Sequence, residues 1–235
     1  MFGIYLLRKE TILSRKEYKR SMEHTPAGKP NFDWVAPFYD FLAFLVFGHR
    51  LRRAQVVFLN QIPTNAHILI VGGGTGWLLQ QVLIHCQPNQ VVYLEASAQM
   101  LARASKRVIN HNIAGSVVFR VGDEMSLKPE KSFDVIMTPF VLDLFTEQYL
   151  QSGLIPQLQK VLNPSGLWFV TDFVNPRIGW QKLLLWTMIR FFRLTAGIKT
   201  VELADWQKLL AESGLQRSKQ KGQVSGMVST EVWYL

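Results

Sequence analysis

Ile68-Leu69-Ile70-Val71-Gly72-Gly73-Gly74-Thr75-Gly76 is an apolar run that breaks into glycines. Consecutive bulky apolar residues without polar alternation suit a strand covered on both faces. The glycines that end it let backbone turn sharply and approach a ligand with no Cβ in the way. Trp77 to His85 then reads as a helix. A strand passing through glycines into a helix presents backbone N–H groups to a crevice, where a carboxylate or phosphate is favoured.

The same alternation continues outward from that loop. Strands are expected at Val91–Leu94, Ser116–Val121, Phe133–Thr138 and Leu167–Thr171, and helices at Ala98–Asn110 and Tyr149–Leu162. The second of these helices should stop at the turn Asn163-Pro164-Ser165-Gly166. Strand–helix repetition of this kind predicts an α/β, Rossmann-like three-layer sandwich, a mostly parallel sheet with helices on both faces. A helix over Ala204–Ser213 leads to extended runs at Leu215–Lys221 and Met227–Leu235, which suit an antiparallel closing hairpin.

Composition sets the frame. The chain has 235 residues, 48% of them hydrophobic, a size that fits one domain with a substantial core. Residues 1–30 read as a poorly ordered basic lead, with seven basic residues against three acidic. Residues 31–235 read as a single domain, opening with an aromatic helical cap over 31–60. The net charge of +9 admits an anionic surface or substrate, but no aromatic–basic stacking module points to nucleic acid. The single cysteine, Cys86, rules out an internal disulfide and a cysteine metal cage, and no metal is expected. No stretch reaches the roughly 20 apolar residues of a membrane span. The expectation is a cytoplasmic protein with room for peripheral membrane contact.

Spacing within the glycine loop separates two ligands. A dinucleotide loop wants G-x-G-x-x-G, and the third position here is Trp77. Gly72-x-Gly74-x-Gly76 suits an S-adenosylmethionine loop better. Three downstream features fall where one ligand would need them. Glu95 ends the second strand, where a carboxylate can take both ribose hydroxyls. Asp123 follows the third, in Val121-Gly122-Asp123-Glu124, where a carboxylate can accept from an adenine amino group. Thr138-Pro139-Phe140 opens from the fourth onto the same crevice.

Ile68 to Gly76 resembles the first motif of class I S-adenosylmethionine-dependent methyltransferases. Tyr93-Leu94-Glu95-Ala96-Ser97-Ala98-Gln99-Met100-Leu101 is similar to their second-strand motif, and Phe133-Asp134-Val135 and Leu162-Asn163-Pro164-Ser165-Gly166 resemble later ones. Phe38-Tyr39-Asp40, and the apolar helix after the fifth strand, are most similar to the ubiquinone and menaquinone biosynthesis branch. The resemblance implies a seven-stranded sheet with one antiparallel strand. It also implies cofactor contacts at Tyr39, Val71, Gly72, Gly73, Gly74, Gly76, Glu95, Ala96, Met100, Asp123, Glu124 and Thr138. The chain departs from the family at Ile70, where an acid usually helps hold the methionine amino group.

Methyl transfer to a small acceptor needs alignment and exclusion of water more than proton chemistry. His49, His85, Asp143 and Asp172 are the candidate bases, with Asp143 and Asp172 best placed after the fourth and fifth strands. Thr138-Pro139-Phe140 lacks the Asn/Asp-Pro-Pro-Tyr pattern of amino-methylating enzymes. The stretch 176–196 reads as an amphipathic lid helix, with Lys182, Trp186, Arg190 and Arg193 on one face. Such a lid favours a hydrophobic small-molecule acceptor, and its basic face would favour anionic headgroups. A non-catalytic scaffold of the same fold is the alternative, and a nicotinamide-dependent oxidoreductase the third reading.

Overall fold

A computed structural model of the chain describes residues 48–111, 113, 115–127, 133–175, 178–196 and 202–235. The expected basic lead, the first part of the helical cap and Tyr39 lie outside them. The described part of the cap is a short helix, α1 (Arg50–Gln55), followed by a 3-10 turn at Leu59–Gln61.

Beyond it the elements alternate: β1 (His67–Val71), α2 (Trp77–His85), β2 (Gln90–Glu95), α3 (Ala98–Asn110), β3 (Val117–Val121) and β4 (Phe133–Pro139). A helical run follows, ending in α4 (Ile155–Gln159). Then come β5 (Leu162–Phe173), α5 (Gly179–Ala196), α6 (Trp206–Glu212), β6 (Gln216–Gln223) and β7 (Val228–Tyr234). The seven strands form one sheet in the order β3-β2-β1-β4-β5-β7-β6. Pairing is parallel from β3 across to β5, while β7 runs antiparallel to both β5 and β6. The expected fold class holds, and β7 is the single reversed strand.

Period-2 alternation inside the strands builds two cores, one on each face. Ile68, Ile70, Val91, Tyr93, Val135 and Met137 pack with Leu78, Leu79 and Val82 of α2 and Ala104 of α3. The intervening Leu69, Val92, Leu94 and Ile136 pack with Leu154, Ile155 and Leu158 and with Trp206 and Leu210 of α6. Every one of these side chains is buried. Ser97 starts α3 by accepting a hydrogen bond from the Met100 N–H, and Asp205 does the same for α6 through Lys208.

Two local readings change. The helix expected over Tyr149–Leu162 is interrupted: Glu147–Tyr149 is α-helical, Leu150–Leu154 is a π turn, and α resumes at Ile155. Pro156 offers a reason, since its ring and missing N–H displace the preceding turn's bonding. Asn163–Gly166 is an excursion within β5, between the pairs Phe133–Leu162 and Val135–Leu167. Asp134 pins it: one carboxylate oxygen accepts from the Asn163 amide at 2.7 Å and the other from the His67 N–H at 2.8 Å.

Candidate functional site

The chain leaves β1 towards one face of the sheet and leaves β4 towards the other. A crevice opens at the strands' carboxyl ends where those paths diverge, the place such sheets bind ligands. Val71–Thr75, Leu94–Ala96, Met100 and Gly122–Glu124 line it, facing Pro139–Val141, Leu144, Phe145 and Leu154. Gly48, Leu51, Arg52 and Gln55 from around α1 complete it beside Trp77 and Leu78.

The glycine loop is shaped by contacts as much as by turns. Gly76 has φ +84°, and a Cβ there would sit 2.7 Å from the Ala104 backbone of α3. Gly72 has φ +66°, and its Cβ would meet Val141 at 2.5 Å. Only glycine meets both demands at either position. Strand β2 clamps the loop from below. The Tyr93 hydroxyl donates to the Gly74 carbonyl at 2.9 Å, and Glu95 Oε2 accepts from the Gly74 N–H at 2.9 Å. Glu95 Oε1 also accepts from the Ser97 N–H at 3.0 Å, so a buried carboxylate is fixed against the crevice. Ile70 makes no part of this clamp; it is fully buried in the core against α2 and α3.

The other acids are anchored too. Asp123 Oδ1 accepts from the Met125 N–H at 2.9 Å, and buried Glu124 accepts a short hydrogen bond from the Tyr149 hydroxyl. At the far rim Phe140 adopts φ +56°, an uncommon backbone for a bulky residue. Asp172 holds that turn: its Oδ2 accepts from Val141 N–H at 3.0 Å and Leu142 N–H at 2.8 Å, and its Oδ1 from Phe173 N–H at 2.7 Å.

Comparison with known proteins follows the same map. Residues 68–166 match the family model described as a methyltransferase domain. The chain is 32% identical over 149 residues to the ubiquinone/menaquinone biosynthesis C-methyltransferase UbiE of Cellvibrio japonicus, covering 62% of this chain and 59% of that one. The chain thus spans about three fifths of that relative's length. Against the protein of the same name from Saccharophagus degradans it is 28% identical over 190 residues, 77% of this chain and 74% of the other. Across residues 68–166 the chain is thus similar to class I methyltransferases. Solved structures agree in fold: DhpI in its SAH complex aligns with TM-score 0.62 at 17% identity, covering 84% and 90% of the two chains. A putative O-methyltransferase from Nostoc punctiforme aligns with TM-score 0.69 at 14% identity, over 94% and 68%.

The cofactor of the class is S-adenosylmethionine. Of the residues the sequence proposed for it in this chain, Val71, Gly72, Gly73, Gly74, Glu95, Ala96, Met100, Asp123 and Glu124 come together on the crevice. Gly76 sits behind the loop against α3. Thr138 turns away: it is fully buried, and its hydroxyl accepts from the Trp168 indole at 3.0 Å. The donor set fits the class cofactor, because a carboxylate offers only acceptors and a ribose diol offers donors.

The candidate bases are not on the crevice wall. His85 is exposed at the end of α2, and His49 is exposed beside α1. Asp143 lies within the Phe140–Leu144 turn and Asp172 behind it, as neighbouring carboxyls, and neither lines the crevice. Burial pushes Asp143 up to about 6, against which a hydrogen bond from Asp172 works. Burial, then the nearby Asp143 charge, push Asp172 well above the ordinary carboxylate range. Asp172 holds the turn through its backbone N–H contacts. Sequence reasoning missed Arg52 and Gln55. Arg52 packs over the Trp77 ring at 5.6 Å, a cation–π contact at the crevice edge. No motif marks it among Arg50, Arg52 and Arg53; only the position of α1 over the loop brings it in.

Proposed function

We propose that this methyltransferase moves the methyl group of S-adenosylmethionine to a small lipophilic acceptor, of the quinone-precursor or lipid kind. The observation that carries the reading is the division of the crevice. Acids and glycine backbone line one part, and Leu51, Phe140, Leu144, Phe145 and Leu154 form an apolar wall opposite. Glu95 would take the ribose hydroxyls, Asp123 and Glu124 the adenine side, and the loop from Val71 to Gly74 the methionine part, flanked by Ala96 and Met100. The cofactor supplies an already activated methyl group on a sulfonium. This chain supplies alignment and a dry wall. With Asp143 set within the turn and Asp172 behind it, proton removal by either is not part of the reading. Arg52, held on Trp77, offers an acceptor oxygen a fixed positive partner. The similarity to quinone-biosynthesis C-methyltransferases supports an aromatic, apolar acceptor.

Calorimetric titration with S-adenosylmethionine and S-adenosylhomocysteine, with NADH as control, tests the cofactor assignment. Glu95→Ala is expected to weaken both sulfur ligands by roughly 10–100-fold, as loss of charge-assisted hydrogen bonds would. Binding of NADH in place of either would return the oxidoreductase reading. A folded protein that binds neither sulfur ligand would leave the scaffold reading, for which the buried Ile70 is the specific sequence argument.

A further inference from the structure

Helix α5 (Gly179–Ala196) carries an apolar surface that no described part of the chain covers. On its inner side Gln181 is buried and donates to the Ser225 carbonyl at 2.9 Å, and Leu184 packs on a cluster of Leu51, Phe173 and Met227. On the outer side Trp180, Leu183 and Trp186 are exposed by 56%, 64% and 55%. At 100° per residue these three fall within one arc of the helix, and exposed Lys182, Thr187 and Arg190 fall in the same arc. The Arg190 guanidinium lies over the Trp186 ring at 5.1 Å. Between Asp172 and Glu202 the sequence holds Arg177, Lys182, Arg190, Arg193 and Lys199 and not one acid.

From this we propose that the outer face of α5 docks the protein onto an anionic lipid surface. Tryptophan and leucine interleaved with basic residues are what an interfacial helix buries at the headgroup boundary: the rings sit at the headgroup level and the cations meet anionic lipid. The charge of the segment is of one sign, basic throughout, which complements an anionic lipid surface. The helix lies on the interface and does not cross it, for no helix among the described residues is long and apolar enough to span a membrane. Docking also has a geometric consequence. The cluster that receives Leu184 also takes Leu51 and Phe140, and both line the crevice. One layer of side chains separates the docked helix from the apolar wall. Entry of an acceptor straight from the lipid rests on the methyl-transfer reading; the docking itself does not.

The test is co-sedimentation of the full chain, without cofactor, with vesicles of phosphatidylcholine alone and of phosphatidylcholine mixed with phosphatidylglycerol. Binding is expected only to the mixed vesicles, falling as salt rises. A Trp180→Ala/Trp186→Ala variant and a Lys182→Glu/Arg190→Glu variant should each lose roughly tenfold or more of it. Both should keep the wild-type circular dichroism melt and S-adenosylhomocysteine affinity, since the changed side chains are exposed. Equal partition onto both vesicle types, no partition, or retention by both variants overturns the proposal. So does self-association of the wild type that the tryptophan variant abolishes, which would give the face to a second copy. Because vesicle binding is read without cofactor, its failure leaves the methyl-transfer reading intact, and vesicle binding without sulfur-ligand binding does the reverse.

Discussion

Tyr93 and Glu95 grip one residue of the glycine loop from both sides, the carbonyl and the N–H of Gly74. With Ile70 giving no polar contact, that grip from β2 keeps the loop's shape. Tyr93→Phe removes one hydrogen bond and leaves the ring packed against Phe119. It is expected to lower S-adenosylmethionine affinity about fivefold, the ~1 kcal/mol of one hydrogen bond, as read by calorimetry. Asp143 makes a prediction of opposite kind. Its carboxyl titrates near 6 in the folded chain against about 3.8 unfolded, so the fold binds the proton more tightly. Stability from this group is therefore greatest below about pH 4, and is lost as pH rises through 6. Asp143→Asn should leave the melting temperature near pH 4 almost unchanged and raise it by several degrees at pH 7 and above. A thermal melt series across pH would show the two curves separating upward. Equal curves at pH 7 would mean the pair is not strained.

At the scale of elements, Gly76 is where α2 and α3 meet. Alanine there must adopt a left-handed backbone and push its Cβ into Ala104. Gly76→Ala is expected to cost about 2–4 kcal/mol, the sum of overpacking and strain, lowering the denaturant midpoint with no change in m. Strands β1 to β4 and helices α2 and α3 were legible because each carries a long periodic signal and a stop: the glycines after Val71, and the Ser97 cap before α3. The break before Pro156 and the excursion at Asn163–Gly166 were not legible, since a bulge is a matter of register with a neighbouring strand. Asp172 shows the same limit at one position. Placing an acid at a strand end says nothing about which way it points. Two of its three N–H donors, Val141 and Leu142, belong to a turn some thirty residues away, and the third is its neighbour Phe173. Arg52 was invisible for a like reason, its place being set by how α1 crosses the loop.

Across the whole molecule, the glycine loop and the acids after β2 and β3 read correctly as one crevice because parallel strands align their carboxyl ends. A reader of the chain needs only strand order to bring Glu95 and Asp123 together. Thr138 failed that test by facing Trp168 instead. The single thiol gives the molecule a further property. Cys86 is buried at the end of α2, donates to the Leu59 carbonyl, and burial pushes its titration up to about 11. The thiolate is the reactive form, so in the folded state alkylation is blocked twice, by access and by charge. Any labelling by iodoacetamide must pass through an opened molecule. Cys86 is thus a built-in clock for opening. Mass spectrometry should find the native chain unlabelled over many minutes while denatured chain labels at once. Ligands of the crevice should slow the clock in proportion to how tightly they bind. A fast native reaction would mean that α2 swings away on its own while the rest of the sheet stays closed.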